Sequence, residues 1–529
     1  LGAKRELSFE RGTIFKKWSG KTPVCVLFPN TYFVGMSNLA VHLLYKSLND
    51  LPDVVCERAF LDRVGKALSV ESHKPLTSFE IIFVTLSFEM DYGNLVRMLS
   101  DSSIEPRAST RRGRGPIIVG GGVCAMANPE PLAGIFDLFI MGDVEATIIP
   151  FMELYFSHRH KGRDELIEEL SAPGWVYNPA QLSVTYKDDA TVAGLEPSSF
   201  HVKSERYKGR HLGTSAILTS QTEFANMYLV EGTRGCPSRC PFCLTGSCAP
   251  FTYDRSPHVP EGETSVGIIG GGVSFHPALA EMIREFNRRG VRVNLPSLRI
   301  DQVPLDVLEL VKDEVRTLTF GVEAGTERLR RFIGKALSDV DIYERIEAVA
   351  AMKSFHFKLY FMIGLPGETK EDVSEIVTMA KRITHFMIKQ GSKRGTVGSI
   401  TIHASPFVPK AATPFQWLAM ADVETLKEKL GALRKGLAKA ANTYFTHESV
   451  KYSFLQGVFA RGDRRVQDVI MQLAAGTPLG KVQRENPLNL NFYVTRERAA
   501  DERFPWDFLT GEKEKARLRK QLTSAMEQL

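Results

Sequence analysis

Cysteine is scarce in this sequence, charge is nearly balanced and long apolar runs are missing, and each shortage removes a class of protein. Seven cysteines in 529 residues are too few for the disulfide framework of a secreted scaffold. The 67 Lys and Arg against 61 Asp and Glu leave a formal charge of +6, too small a bias on this length to require nucleic acid or a membrane surface as partner. No stretch of about 18 residues is apolar without charges or glycine-rich interruptions, so no membrane insertion is expected. The opening residues LGAKRELSFERG hold no apolar signal-peptide region, and the expected location is cytoplasmic. No repeat of solenoid period occurs. Apolar residues at 43% and charged residues at 24% are ordinary globular values. The length exceeds what one core serves, so two or three domains are expected.

Apolar runs then alternate with helical stretches in two blocks. In the first, VCVLFP, VVCERAF, FEIIFVTLSF, GPIIVGGG and DLFIMGD read as buried strands of an α/β, Rossmann-like doubly wound sheet over residues 1–156. Residues 157–222 read as a connector with a small β insert, through GWVYN and LSVTYKD. In the second block, MYLVEG, SVGIIGG, RVNLPS, TLTFGVEAG, KLYFMIGLPG and SITIHASPF are six strands separated by amphipathic helices. They predict a partial (β/α)6 barrel over 223–420, followed by a helical C-terminal region, 421–529. Glycine and small polar residues gather after the strands, where α/β folds bind ligands.

Three of the seven cysteines crowd into eight positions, EGTRGCPSRCPFCLTG, with spacing C-x3-C-x2-C directly after the first barrel strand. Cys236, Cys240 and Cys243 can hold three irons of a [4Fe-4S] cluster and leave the fourth iron open. The competing reading is a structural zinc knuckle with Cys248 as fourth ligand, although zinc sites usually draw ligand pairs from separate turns. An open cluster requires a reducing compartment and low oxygen. Cys25, Cys56 and Cys124 are too scattered for a second cluster and read as buried thiols.

Here the sequence resembles the radical SAM superfamily, from about Asn226 to Trp417. The resemblance implies that S-adenosylmethionine (SAM) chelates the open iron and is split by an electron from the cluster into methionine and a 5′-deoxyadenosyl radical. It also implies a SAM pocket built from later strand ends. Gly270, Gly271 and Gly272 stand at the glycine motif for the SAM amino group, with Val273 and Ser274 in place of its acid; close strand–helix packing is the bland alternative. Ser297 and Arg299 resemble polar SAM contacts. Glu323 resembles the residue reaching ribose or amino group, its alternative being a helix cap paired with Arg328. Gly364 and Gly367, in IGLPGET, resemble the adenine-contacting turn. His403 and Tyr360 could face a substrate or serve as hydrogen-bonded core.

The first sheet resembles the cobalamin-binding domain that precedes the barrel in the B12-dependent class, closest to an uncharacterised bacterial branch whose last barrel segment PFVPKAATPFQW matches. Asn30, Tyr32 and Gly35 occupy the register of the family's D-x-H-x-x-G motif; Ser87 follows a later strand, and Gly120, Gly121 and Gly122 stand where a double glycine admits the corrin tail. The acid and the histidine are absent, so the resemblance implies either cobalamin bound without a protein histidine ligand or a domain that kept the fold and lost the cofactor. Asn128-Pro129-Glu130-Pro131 and Gly142-Asp143-Val144-Glu145 match segments at this domain's end, or are a loop and a helix N-terminus. Methylthiotransferases, another relative, carry three more cluster cysteines and a C-terminal RNA module, neither visible here.

The expected function is radical SAM chemistry, as cobalamin-dependent methyl transfer to an unactivated carbon. A cobalamin-free radical SAM enzyme performing rearrangement, cyclisation or sulfur insertion is the alternative, and a non-catalytic iron–sulfur redox sensor a third reading. A low-potential donor such as flavodoxin or ferredoxin is implied as partner; the substrate is not legible. The basic runs RASTRRGRG and REFNRRGVRV could touch nucleic acid but read more simply as solvated faces.

Overall fold

The computed structural model of the chain describes residues 6–61, 67–111, 115–302 and 304–529. Its first sheet is built from β1 (Thr22–Phe28), β2 (Val54–Phe60), β3 (Ile81–Thr85), β4 (Ile117–Gly121), β5 (Leu138–Ile140) and β6 (Val176–Tyr177). The order is β2-β1-β3-β4-β5-β6, parallel except for β6, which pairs antiparallel with β5. Every residue of β2 and β3 is buried, as a parallel sheet covered by helices on both faces demands. Helix α1 (Leu39–Asp50) starts where the Asn38 side chain accepts from the Ala40 amide at 3.0 Å, a cap that contributes about 1 kcal/mol. Helix α2 (Val144–His158) follows β5. A two-stranded antiparallel hairpin, Ser183–Tyr186 with Val192–Glu196, lies in the connector.

The second block forms β7 (Tyr228–Glu231), β8 (Ser265–Ile269), β9 (Arg292–Asn294), β10 (Thr317–Glu323), β11 (His356–Ile363), β12 (Ser399–Pro406) and β13 (Thr443–His447), all parallel. The Leu298–Phe320 bridge joins the first three strands to the last four, giving an open barrel of seven strands, one more than the six expected. The seventh falls where the sequence reads as a continuing helix. An edge strand with Tyr444 exposed needs only one buried face, so its apolar signal is weak.

Barrel helices include α3 (Asp339–Met352) and α4 (Lys370–Ser392), each opened by a capping box, Ser338 with Asp341 and Thr369 with Asp372. The C-terminal part is helical, with α5 (Val423–Leu437), α6 (Val450–Arg461) and α7 (Asp507–Met526). Among the described residues no helix is long and apolar enough to cross a membrane.

One apolar core runs from the first sheet through the barrel, and polar latches fasten the junction. Lys410, past the end of β12, pairs with buried Glu89 at 2.6 Å, and Gln456 of α6 donates to the same carboxylate. Glu130 is fully buried against Arg464 and Tyr177, and Asn128 donates to the carbonyls of Ala460 and Gly462. The Asn128–Pro131 segment therefore anchors the C-terminal region to the first domain. Within the basic runs, Arg107 pairs with Asp468, Arg111 with Asp137, Arg284 with Asp306 and Arg288 with Glu285; residues 112–114 lie outside the described residues.

Candidate functional site

The cysteine loop leaves β7 through Thr233-Arg234 and turns sharply at Gly235, φ +68°, and at Arg239, φ +46°. A side chain at Gly235 would collide with the carbonyls of Ala249 and Pro250, so glycine is required there. The Cys243 amide donates to the Cys240 carbonyl at 2.9 Å, which closes the turn carrying Cys240 and Cys243; Cys236 follows directly on Gly235. A short helix, Leu244–Cys248, packs back on it so closely that a Cβ at Gly246 would lie 2.9 Å from the Arg239 Cα. Phe242 packs against the apolar cluster of Phe332, Phe407 and Phe415, and the Phe415 amide donates to Pro241.

Cys240 is buried, which pushes its thiol up to about 11, while the Lys335 ammonium and the Arg299 guanidinium pull it down. Cys248 is pushed up to about 12 by burial, and its carbonyl accepts from Arg206. Among the described residues no three His, Cys, Asp or Glu side chains converge as an ion-holding group. Cys25, Cys56 and Cys124 are buried in the first domain.

Beside the loop lies a barrel cavity of about 340 Å³ lined by Gly271, Gly272, Ser274, Phe275, Ser297, Leu298, Arg299, Gly321, Glu323, Lys335 and Tyr360. Five residues likened to SAM contacts from sequence meet here, Gly271, Gly272, Ser297, Arg299 and Glu323, together with Tyr360, read from sequence as facing a substrate or as core. Arg299 pairs with Asp301 at 2.9 Å, its backbone amide donates to Ser274 Oγ at 2.8 Å, and its guanidinium donates to Ser238 of the cysteine loop at 3.2 Å. Glu323 sits at φ +73° beside a bulge at Gly321, a strained conformation for a residue with a side chain. Its carboxylate pairs with Lys335 at 2.8 Å, and Lys335 also donates to the Gly321 carbonyl. Arg328, the partner weighed from sequence, pairs instead with Asp372. Lys335 was missed because it follows a helix and returns to the cavity through a turn at Gly334, φ +73°.

Gly364 and Gly367 are not brought to this cavity. Gly364 turns at φ +76°, its amide donating to Glu368, and a Cβ there would meet Leu426 of α5. Gly367 packs beside Leu529.

A second cavity, about 290 Å³, lies between the first sheet and the barrel. Its lining includes Asn38, Thr85, Gly120, Gly121, Gly122, Gly142, Asp143 and Glu145 from the first domain, and Glu231, Arg234 and Gly270 from the barrel. Gly270, at φ +144°, faces this cavity while Gly271 and Gly272 face the other, so one glycine turn divides the two. Arg234 spans the junction, pairing with Glu145 and Glu231 at 2.7 Å and with Asp143 at 3.3 Å. The Thr85 hydroxyl, in a residue 3% exposed, has no hydrogen-bond partner among the described residues. Leaving such a group unpaired costs about 1–3 kcal/mol.

The remaining residues of the first domain lie elsewhere. Asn30 donates to Asp91 at 2.8 Å. Tyr32 is buried against Phe60, its hydroxyl on Glu10, which with Glu71 brackets the fully buried Arg58. Gly35 has no room for a Cβ beside Phe60. Ser87 stands behind the interdomain cavity, its hydroxyl accepting from Asn38 at 2.8 Å.

Two family models match this chain, "Radical SAM proteins, N-terminal" over residues 40–179 and "Radical SAM superfamily" over 230–380. It is similar to the uncharacterized protein MJ0966 of Methanocaldococcus jannaschii, 27% identical over 454 residues, covering 84% of this chain and 89% of that one. Residues of the chain also align with the uncharacterized methyltransferase PH0819 of Pyrococcus horikoshii, 28% identical over 176 residues, spanning 29% of this chain and 37% of that protein. Among solved structures, the cobalamin-dependent S-adenosylmethionine radical enzyme OxsB with aqua-cobalamin and S-adenosylmethionine bound superposes with a TM-score of 0.45 at 11% identity, covering 96% of this chain and 79% of that one.

Proposed function

The chain belongs to the radical SAM superfamily, and from that premise we propose that it is a cobalamin-dependent methyltransferase acting on an unactivated carbon. The observation that carries the reading is the glycine turn 270–272, which sets a cavity of the first domain against the barrel cavity beside the cysteine loop.

The residues present fit the groups that the family implies. Three thiols on one loop, with a fourth position left to a ligand, suit a [4Fe-4S] cluster by number and spacing; among the described residues they do not converge, so binding the cluster would draw them together. Arg299, Lys335 and Glu323 place both signs of charge in the barrel cavity, which suits the zwitterionic amino-acid end of SAM. In the interdomain cavity Thr85 and Gly120–Gly122 are part of the lining, and at Gly121, where a Cβ would come no nearer than 3.6 Å to the Ile140 carbonyl, the backbone leaves room for a flat group. At about 290 Å³ the cavity matches a fragment such as the corrin tail; the corrin ring itself would lie outside it. Tyr32, held in the core by Phe60 and Glu10, is not part of this cavity's lining and would take no part in holding the group.

When bound, the cluster supplies the electron that splits the sulfonium bond of SAM, and cobalamin supplies the methyl carrier. The chain's own part is to hold and separate the groups. Arg299 ties the third strand end to the cysteine loop through Ser238. Glu323 and Lys335 fix each other's direction across the cavity. Arg234 locks the loop to the first domain through Asp143 and Glu145. The printed name of PH0819 adds support for methyl transfer, whereas the sealed turn at Tyr32 favours the second reading, a radical SAM enzyme without cobalamin.

Anaerobic reconstitution tests both. The expected result is about four iron per chain, 5′-deoxyadenosine on reduction with SAM, and a corrinoid spectrum retained after gel filtration with hydroxocobalamin. Failure to retain corrinoid removes the methyl-transfer reading and leaves the cobalamin-free enzyme. Failure to form 5′-deoxyadenosine removes both.

A further inference from the structure

The barrel wall carries a positive charge that the cluster and SAM site does not use. Along β11 and β12 the residues facing the helices, Phe357, Leu359, Ile400 and Ile402 among them, are fully buried. The alternate residues face the lumen and are half-buried. Register stacks them in layers: Thr319, Lys358, Thr401 and Tyr444 form one, and Gly321, Tyr360, His403 and Thr446 the next toward the mouth. Closed (β/α)8 barrels fill such layers with branched apolar side chains. Here the layers are polar and partly open.

The groups in them touch. The Lys358 ammonium lies 5.1 Å from the centre of the Tyr360 ring, and the rings of Tyr360 and His403 are 5.0 Å apart. His403 Nδ1 meets Thr446 Oγ1 at 2.9 Å, and its Nε2 lies 3.5 Å from Glu448. His356 is bracketed by Ser399 at 2.6 Å and Thr401 at 3.0 Å. Burial lowers the pKa of both histidines and the Lys358 charge lowers it further, opposed at His403 by Glu448. Both imidazoles are therefore neutral near pH 7.

Lys358 differs from the cations of the cavity above it. Arg299 has Asp301 and Lys335 has Glu323. Among the described residues nothing pairs with the Lys358 ammonium except the face of Tyr360. The Lys358 side chain is partly buried on the barrel wall, and its charge is left for an anion from outside to pair with.

We infer that this wall is a substrate subsite for an oxyanion, a carboxylate or a phosphate group, with Lys358 as its charge partner and Thr401, Tyr360 and His403 as hydrogen-bonding neighbours. Tyr360 also lines the barrel cavity, so the subsite is continuous with it. Successive inward residues are about 7 Å apart along a strand. The oxyanion end of the substrate therefore sits one layer deeper than Tyr360, with the reacting end toward Glu323. That placement of the reacting end rests on the SAM reading of the cavity; the oxyanion subsite itself does not.

Equilibrium dialysis of the reconstituted full chain against labelled inorganic phosphate and, separately, labelled acetate tests it. Saturable binding of one probe is expected, phosphate marking a phosphorylated substrate and acetate a carboxylate. Lys358→Gln weakens that binding about tenfold or more, Lys358→Arg keeps most of it, and SAM affinity is unchanged in both. Lys358→Met, which keeps the stem and loses the charge, repeats the test should Lys358→Gln misfold. Binding of neither probe by the wild-type protein, or equal binding by the uncharged variants, overturns the subsite. Oxyanion binding that persists when no 5′-deoxyadenosine forms overturns the proposed function and leaves the subsite standing.

Discussion

Both sheets of this protein place small and polar residues at the carboxyl ends of parallel strands, yet they use those positions differently. In the barrel, residues just past β8 and β9 and at the end of β10 converge on one cavity beside the cysteine loop. In the first sheet the strand ends divide. Those of β3, β4 and β5 open onto a cavity through Thr85, Gly120–Gly122 and Gly142. The end of β1 is closed by the protein itself, with Asn30 on Asp91 and Tyr32 in the core. The strand order β2-β1-β3 puts the topological switch point between β1 and β3, where such sheets usually bind ligands. The difference teaches that a strand end makes a site only where the following turn leaves space, and buried side chains can take that space away.

The largest expected effects test the barrel side. Cys240→Ala removes one of three thiols, and neither an intact cluster nor 5′-deoxyadenosine should form, read as iron content and product after reduction. Retention of the cluster would transfer the role to other residues and undo the convergence. Next is Glu323→Gln, which leaves Lys335 without its carboxylate in a cavity where its side chain is only 9% exposed. Losing a charged hydrogen-bond partner there costs about 1.5–3 kcal/mol, so SAM should bind about ten- to a hundredfold more weakly while iron content is unchanged. Unchanged SAM affinity would reduce Glu323 to a structural ion pair.

What was legible in the sequence follows the same division. Ser297, Arg299 and Glu323 could be picked out because each lies at or just past a strand end, and strand ends are marked by pattern. Lys335 could not, since it reaches the cavity only through the left-handed turn at Gly334. Thr85 reads as one more strand residue; its interest arises from a hydroxyl that burial leaves unpaired. Tyr32 stands in a motif register, but its direction depends on Glu10 and Arg58 from distant segments. Gly364 has the positive φ of a ligand-approaching turn and serves a turn that leads into the capping box of α4. The seventh strand was hidden because no glycine or proline separates α5 from β13. Local pattern marks elements and their ends, whereas side-chain direction in a junction depends on several segments at once.

Two smaller effects probe the first sheet. Thr85→Val keeps the shape and removes the unpaired hydroxyl, so the folded protein should gain about 1 kcal/mol in thermal unfolding. If that hydroxyl serves the corrin tail, retention of added hydroxocobalamin falls in the same variant. Gly121→Ala is the companion, because a Cβ there has only the Ile140 carbonyl, at 3.6 Å, within reach. Stability should hold while the cavity fills and retention drops. A variant that loses stability without losing corrinoid would turn the interdomain cavity into a packing defect.

The smallest effect belongs to the closed end of β1. Burial pushes Asp91 up to about 6 from an ordinary 3.8, against hydrogen bonds from Asn30 and Asn94. The folded chain therefore holds this proton more tightly than the unfolded chain between about pH 4 and pH 6. Its contribution to stability is greatest below that window and is lost as pH rises through 6, by on the order of 1 kcal/mol after solvent screening. Asp91→Asn keeps an acceptor for Asn30 and removes the titration, so it should stabilise at pH 7 and flatten the difference from wild type below pH 4. A ligand-free turn requires that this slope be the same with and without hydroxocobalamin. If cobalamin shifts it, the ligand reaches the end of β1, and the contrast between an open and a closed half of the sheet fails.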